Sequence, residues 1–402
     1  CECFSPQDHK EDCLLVCDQD YADTSIGSAL IRQAMERGCA VLLHNSNCPS
    51  VLEEIRSTGD LSQKTRDMLE AQVLYRCLQK DIQRLASLQP EADGLPNYVA
   101  SAYEKVQDLR YGENWHQRAA LYTNDQGLGL PAARKLNGRE MSYNNMVDAE
   151  TVLEMLIDLS EYDGEACNRP LSVIVKHANP CGVAYGASLD EAFRLSFATD
   201  PKSAFGGVIG FNRMVDVKTA QCIGDSFVEV LLAPGYEAEA LRLLTEKKPN
   251  RRILDIGDLL QRKGELYRGY YKKTIFGGMM LQDFDTGDIK EWRVVTRRAP
   301  TDSEARALRF AWKIAKYVKS NALVYTTENQ TIGIGSGQVS RVDSARFGAE
   351  KAEEHGLSTN GTVAATDSFF PFRDGLDQAF LAGATAVIHP GGSIRDSEVI
   401  DA

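Results

Sequence analysis

Apolar runs of strand length alternate with helix-periodic segments along most of the chain. The runs 13–17 (CLLVC) and 40–44 (AVLLH) have strand length and predict strands, while 28–36 between them carries Leu30, Ile31 and Ala34 at helical spacing. From 62 to 88 one long helix is predicted, with Ser62 as its N-cap and Met68, Leu69, Leu74, Leu78, Ile82 and Leu85 as its apolar stripe. The turn and breaker residues of 89–96 (QPEADGLP) then place a domain boundary.

Beyond Leu95, strands are predicted at 171–175 (LSVIV), 206–211, 277–282, 322–326, 331–335, 362–365 and 384–388. Helices are predicted at 147–159, 188–197, 219–232, 303–318, 345–355 and 375–381, and Ser188 with Glu191 has the spacing of a capping box. That rhythm argues an α/β class with mixed sheets. A charged stretch from Glu246 to Arg268 separates two halves of similar make-up, each with a polar or basic loop just past a strand end, where open α/β sheets place ligands. No residue-level self-similarity shows whether the halves repeat.

With 43% hydrophobic and 25% charged residues among 402, disorder and a small disulfide scaffold are excluded. Lys and Arg number 45 against 57 Asp and Glu, a formal charge of -12. Such a balance disfavours a nucleic-acid partner, and an anionic substrate requires a local basic pocket. No apolar run reaches about 18 residues and no signal-peptide pattern opens the chain, so the reading is a cytoplasmic protein without a membrane span. Ten cysteines include no C-x-x-C pair, and Cys13, Cys17 and Cys77 sit in apolar runs, which favours reduced structural thiols. The chain opens Cys1-Glu2-Cys3 and stops in what reads as the first turn of a helix, Ser397 to Ala402, so its length is read as that of a fragment.

Five clusters could carry chemistry. In Val175-Lys176-His177-Ala178-Asn179-Pro180-Cys181-Gly182 a strand delivers Lys176 and His177 to its end, and Asn179-Pro180 with Gly182 are expected to force the turn. The Lys176 cation would keep His177 neutral near pH 7, as a general base requires; a His satisfied by backbone in a turn is the alternative. Residues 367–375 (DSFFPFRDG) offer an apolar wall with one cationic corner for a flat, anionic heterocycle, or else a helix cap with core aromatics. In 332–341 (IGIGSGQVSR) the glycines do not match G-x-G-x-x-G and fit a tight turn, beside which Arg341 could hold a phosphate. The loop 109–117 mixes Arg110, His116 and aromatics, and 203–207 (SAFGG) permits close backbone approach. The zinc-deaminase signature fails, because Pro180-Cys181 is followed by Gly182, Val183 and Ala184, and neither a nucleophile elbow nor a P-loop occurs.

Taken in order, RYGENWHQ, VKHANPCG, SAFGG, LLAPGY, VKSNA, IGIGSGQVSR, DSFFPFRDG and IHPGGSIRD resemble the transformylase part of the bifunctional purine-biosynthesis family that joins AICAR formyltransferase to IMP cyclohydrolase. The likeness runs from about Arg110 to the end of the chain. It implies two linked cytidine-deaminase-like α/β subdomains without zinc, preceded by a remnant of an α/β cyclohydrolase lobe and a helical linker. The expected division is 1–60 remnant, 61–94 linker, 95–245 first subdomain and 246–402 second subdomain, truncated at its C-terminal end.

The resemblance further implies formyl transfer from 10-formyltetrahydrofolate, as co-substrate, to the 5-amino group of AICAR. The amine is conjugated to an electron-poor ring and must lose a proton as it attacks; His177 matches the family's proton acceptor, and Lys176 its oxyanion-stabilising partner. Asn321 matches the Asn that fixes the carboxamide and stands with these two as catalytic. Arg110 and Arg341 match nucleotide binders, Phe205, Gly206 and Phe369 match base contacts, Glu229 matches a carboxylate near the substrate and His116 an active-site His. Phe372, His389 and Pro390 are assigned to the folate side. No catalytic metal is implied, a structural potassium ion is, and so is a homodimer with active sites at the interface. Cyclohydrolase activity would need sequence upstream of this chain. The alternative is a catalytically impaired, truncated paralogue that binds nucleotide or serves as a dimerisation partner.

Overall fold

The structure, a computed structural model, describes residues 2–4, 14–17, 24–43, 48–89, 94–124, 127–162, 165–166, 168–289 and 291–402. Contacts divide it into two compact units, one within Cys1–Glu104 and Thr123–Gln126 and the other comprising Lys105–Tyr122 and Gly127–Ala402. No helix among the described residues is long and apolar enough to cross a membrane.

In the first unit the strand Leu14–Cys17 lies between Glu2–Phe4, antiparallel, and Ala40–Leu43, parallel. Alternation sends Val41 and Leu43 to one core with Cys17, Ile31, Val73 and Cys77, and Ala40 and Leu42 to another with Val51, Leu61 and Leu69. Cys13, His44 and 90–93 of the breaker segment lie outside the described residues. The helix Gln63–Leu88 is capped by Ser62 as expected. Its buried seam, however, is Leu69, Val73 and Cys77 at i, i+4 and i+8, while Met68, Leu74 and Leu78 of the expected stripe are exposed. Counting apolar positions could not show which of two adjacent ridges meets the sheet.

The second unit is built on a six-stranded and a four-stranded sheet. The first runs Asn179–Tyr185, Leu171–Lys176, Val208–Phe211, Val230–Ala233, Arg252–Asp255 and Arg134–Asn137. The second runs Thr331–Gly335, Leu323–Thr326, Val363–Thr366 and Ala386–Ile388. In both, the first two neighbours form a hairpin, the second pairing is antiparallel and the third is parallel. A helix precedes each hairpin, Tyr143–Leu159 and Asp302–Ala315, and another follows it, Leu189–Thr199 and Arg341–Glu354. The halves therefore repeat one topology, which the sequence left open. Facing residues of the first helices join with Val173, Val175, Val183 and Val324 in one core spanning both sheets, whereas Ile174 and Tyr325 point to separate outer cores. Burying each such side chain contributes about 1.5–3 kcal/mol.

Four local expectations change. The helix predicted at 219–232 stops at Ile223, where Gly224 turns the chain at φ 46, and Val230–Ala233 is a strand. Arg252–Asp255, inside the charged stretch read as a connection, is the fifth strand of the first sheet, with Arg251 and Arg252 buried. Ser188 caps its helix without a side-chain bond; Glu191 instead accepts the Ala187 N–H at 2.7 Å, so no capping box forms. The strand expected at 331–335 forms as Thr331–Gly335, and what changes is the tight turn read from its glycines: a Cβ at Gly333 or Gly335 would meet the Gly348 and Ser344 carbonyl oxygens at 2.1 and 1.9 Å, and only Gly337, at φ 66, makes the turn.

Candidate active site

Leu171–Lys176 and Asn179–Tyr185 are joined by only two residues, His177 and Ala178, both at φ 54. A two-residue loop with both residues left-handed is the type I′ geometry, normally supplied by Asn and Gly. Here a carboxylate supports it. Asp148 accepts the Ala178 N–H at 2.6 Å and also the His177 N–H. Burial pushes the Asp148 carboxyl above its ordinary value, and these two N–H groups and the Lys176 and His177 charges oppose that rise.

Beside the turn, the Lys176 Nζ donates to the Phe205 carbonyl at 2.7 Å. Gly206, at φ 74, donates its N–H to the Phe227 carbonyl at 2.8 Å, which brings the Phe205 and Phe227 rings to 4.9 Å. Phe205 is 60% exposed, an apolar platform rather than core. Two residues on, the Glu229 carboxylate pairs with Arg252, which is only 3% exposed and also donates to the Glu140 carbonyl at 2.9 Å. Arg110, Arg139, Phe227, Glu229, Lys248 and Arg252 line a cavity of about 300 Å³. It is the local basic pocket that the overall acidic charge called for.

Asn179 links the turn to the second half: its Nδ2 donates to the His177 carbonyl at 3.3 Å and its Oδ1 accepts the Lys319 N–H at 2.9 Å. Two residues later Asn321 donates through Nδ2 to the Gln338 carbonyl at 3.0 Å, and its own carbonyl accepts the Ser344 hydroxyl at 2.7 Å. Arg341 is not a free cation. It is buried, bonding Asp367 Oδ1 at 2.9 Å and the Phe369 carbonyl at 2.5 Å, while its Nε has no partner among the described residues. Around this pair, Phe372 lies under Arg395, at 4.8 Å from the guanidinium carbon to the ring centre. His389 accepts the Gly391 N–H at 3.0 Å and meets Phe370 edge to face, and burial pushes its pKa below the ordinary value; Pro390 is exposed beside it. His116 lies exposed on its loop against Trp115.

The sequence residues thus fall into two groups: Lys176, His177, Phe205, Gly206, Glu229 and Arg110 about the turn and pocket, and Arg341, Phe369, Phe372, His389 and Pro390 on the second half, with Asn321 between them through Asn179 and Lys319. Sequence reasoning missed Asp148, Arg139, Phe227, Lys248 and Arg252. For Asp148 a signal existed: it is a carboxylate on the i, i+4, i+7, i+11 ridge shared with the buried Val152, Met155 and Leu159.

A model of the AICARFT/IMPCHase bienzyme family matches residues 37–351. The chain belongs to that family. Among its relatives, the bifunctional purine biosynthesis protein PurH of Acidithiobacillus ferrooxidans (strain ATCC 53993 / BNL-5-31) is 42% identical over 386 residues, covering 93% of this chain and 71% of that protein. The AICARFT/IMPCHase match takes in Arg110, the Lys176–His177 turn, Glu229, Asn321 and Arg341, while Phe369, Phe372, His389 and Pro390 lie beyond its end. Among the described residues no group of three His, Cys, Asp or Glu is placed to hold a metal ion.

Proposed function

We propose that this member of the family transfers the formyl group of 10-formyltetrahydrofolate to the 5-amino group of AICAR. The observation that carries the reading is the pairing of a His-bearing I′ turn with a Lys anchored at the edge of a basic, aromatic-rimmed cavity. The amine nitrogen attacks the formyl carbon while His177 takes its proton; Lys176 faces the developing oxyanion; the bond to the folate nitrogen breaks as the proton held by His177 is relayed to that nitrogen. Holding both substrates in register supplies much of the rest. Arg110 takes the phosphate of AICAR, Phe205 and Gly206 its base, and Asn321 its carboxamide. Arg341 and Phe369 also serve the nucleotide, and Phe372, His389 and Pro390 the folate. Each half corresponds to a cytidine-deaminase-like core, a reading supported by the shared strand order.

The working unit in this reading is a homodimer, in keeping with the exposed ribbon Tyr270–Ile275 and Gly278–Asp283, which bares Tyr271, Ile275, Phe276, Met279 and Met280 to a second copy. The deciding experiment incubates the purified full chain with AICAR and 10-formyltetrahydrofolate. Release of tetrahydrofolate that depends on AICAR supports the proposal. Tight AICAR binding without turnover would replace it with the nucleotide-binding, catalytically impaired alternative.

A further inference from the structure

The turn that carries His177 is held against its own preference. Histidine tolerates a left-handed backbone better than most residues, but Ala178 has no side-chain group to stabilise one, and glycine or asparagine would be the ordinary choice. What compensates lies 30 residues upstream, on the helix Tyr143–Leu159: Asp148, 7% exposed, placed where an apolar residue would continue the helix's buried ridge. A carboxylate costs free energy in such a place, and its visible partners there are the N–H groups of His177 and Ala178. The strand ahead of the turn packs on the same helix through Val173 and Val175, so the helix fixes both where the turn begins and how it bends.

We propose that Asp148 is a positioning residue for the formyl transfer: by accepting both turn N–H groups it holds Lys176 and His177 in the one backbone conformation that presents them together. This rests on the formyl-transfer reading above. Asp148 itself takes no proton from the substrate and makes no contact with it. Its effect belongs in turnover rather than in substrate affinity, because the turn geometry matters most when the proton moves.

The test uses the full chain with Asp148→Ala, Asp148→Asn and the double variant Asp148→Ala/Ala178→Gly. Asp148→Ala is expected to lower kcat about ten- to hundredfold with both KM values within about twofold. Asn keeps one acceptor of two, so Asp148→Asn should fall between. Glycine enters the left-handed region without strain, so the double variant should recover about tenfold of the loss. Hydrogen exchange across 171–185 should quicken at His177 and Ala178 in Asp148→Ala, a readout that needs no activity and therefore judges Asp148 even if the wild-type chain forms no product. Unchanged exchange at the turn would overturn the proposal, as would equal losses in the Ala and Asn variants with no recovery from glycine.

Discussion

Thr331 and Val183 bond each other twice across the seam between the two sheets. The Val183 N–H donates to the Thr331 hydroxyl at 2.9 Å, and that hydroxyl donates back to the Val183 carbonyl at 3.2 Å. Next to them Ala184 and Gln330 form a single antiparallel bridge, and the Tyr185 N–H reaches the Asn329 carbonyl at 2.8 Å. One threonine side chain thus stands in for a backbone ladder where the repeated halves meet edge to edge.

Thr331 is 0% exposed, so its replacement by the isosteric valine leaves a buried N–H and a buried carbonyl without partners. Thr331→Val is expected to cost about 2–4 kcal/mol in urea unfolding. Thr199, whose hydroxyl donates to the Thr331 carbonyl at 2.6 Å, retains that bond. A loss under about 0.5 kcal/mol would show that the seam is held elsewhere.

The glycines separate two physical roles. At Gly335 an added Cβ would sit 1.9 Å from the Ser344 carbonyl oxygen, and at Gly182 it would sit 1.9 Å from that of Ser196, the corresponding approach of hairpin to helix in the other half. At Gly337 only the Lys319 Cβ comes near, at 4.0 Å, but φ is 66. Gly335→Ala and Gly182→Ala should each lose at least about 3 kcal/mol, and Gly337→Ala about 1 kcal/mol. Thermal unfolding of the three variants checks the order.

That contrast also shows why some of the structure was readable in advance and some was not. Leu171 to Val175 announced a buried strand by composition, so the place of Lys176 at a strand end came from local pattern; the Asn-Pro and Gly that follow suggested the turn too late in the chain, because Asn179–Tyr185 is already the returning strand and His177 and Ala178 make the turn themselves. Gly333 and Gly335 read as turn residues because their reason for being small is a helix backbone that approaches from residues 341–354. Arg341 read as a free cation because Asp367, its partner, lies 26 residues away, and Asp148 was passed over for the same kind of reason. The repeat was invisible because it lives in strand order, to which many sequences are equivalent.

Acid should weaken the second half through Glu304. Arg298 grips this carboxylate with two bonds of 2.8 and 2.9 Å, and the Thr301 N–H and Thr385 hydroxyl add 2.8 and 2.7 Å contacts. Led by Arg298, these hold its pKa down to about 2 in spite of partial desolvation. A depressed carboxylate pKa stabilises the fold fully above its unfolded value of about 4.3 and loses that contribution as pH falls toward 2. Because Arg298 is more than half exposed, roughly 1–2 kcal/mol is expected. The stability gap between the wild-type chain and Glu304→Gln should therefore close between about pH 4.5 and pH 2. A gap that stays constant over that range would assign the effect to packing.

The basic cavity makes the last prediction, and it tests which cations receive the anionic end of the substrate. Arg252 is spent on Glu229 and the Glu140 carbonyl, whereas among the described residues Arg139 engages only its Nε, to Asn250 at 2.9 Å, and Arg110 lies beside Tyr111. Arg110, Arg139 and Lys248 thus face one cavity of about 300 Å³ in a chain of net charge -12, a local reversal of sign suited to a phosphate. Removing one charge-assisted bond is expected to cost about 1.5–3 kcal/mol, so Arg139→Ala and Lys248→Ala should each raise the KM for AICAR roughly ten- to hundredfold and leave kcat within about threefold. Added salt should raise the wild-type KM more steeply than that of either variant, since each variant has less charge to screen. If both KM values stay unchanged while Arg341→Ala raises its own, the phosphate sits on the second half, and the cavity beside the His177 turn holds the uncharged part of the nucleotide.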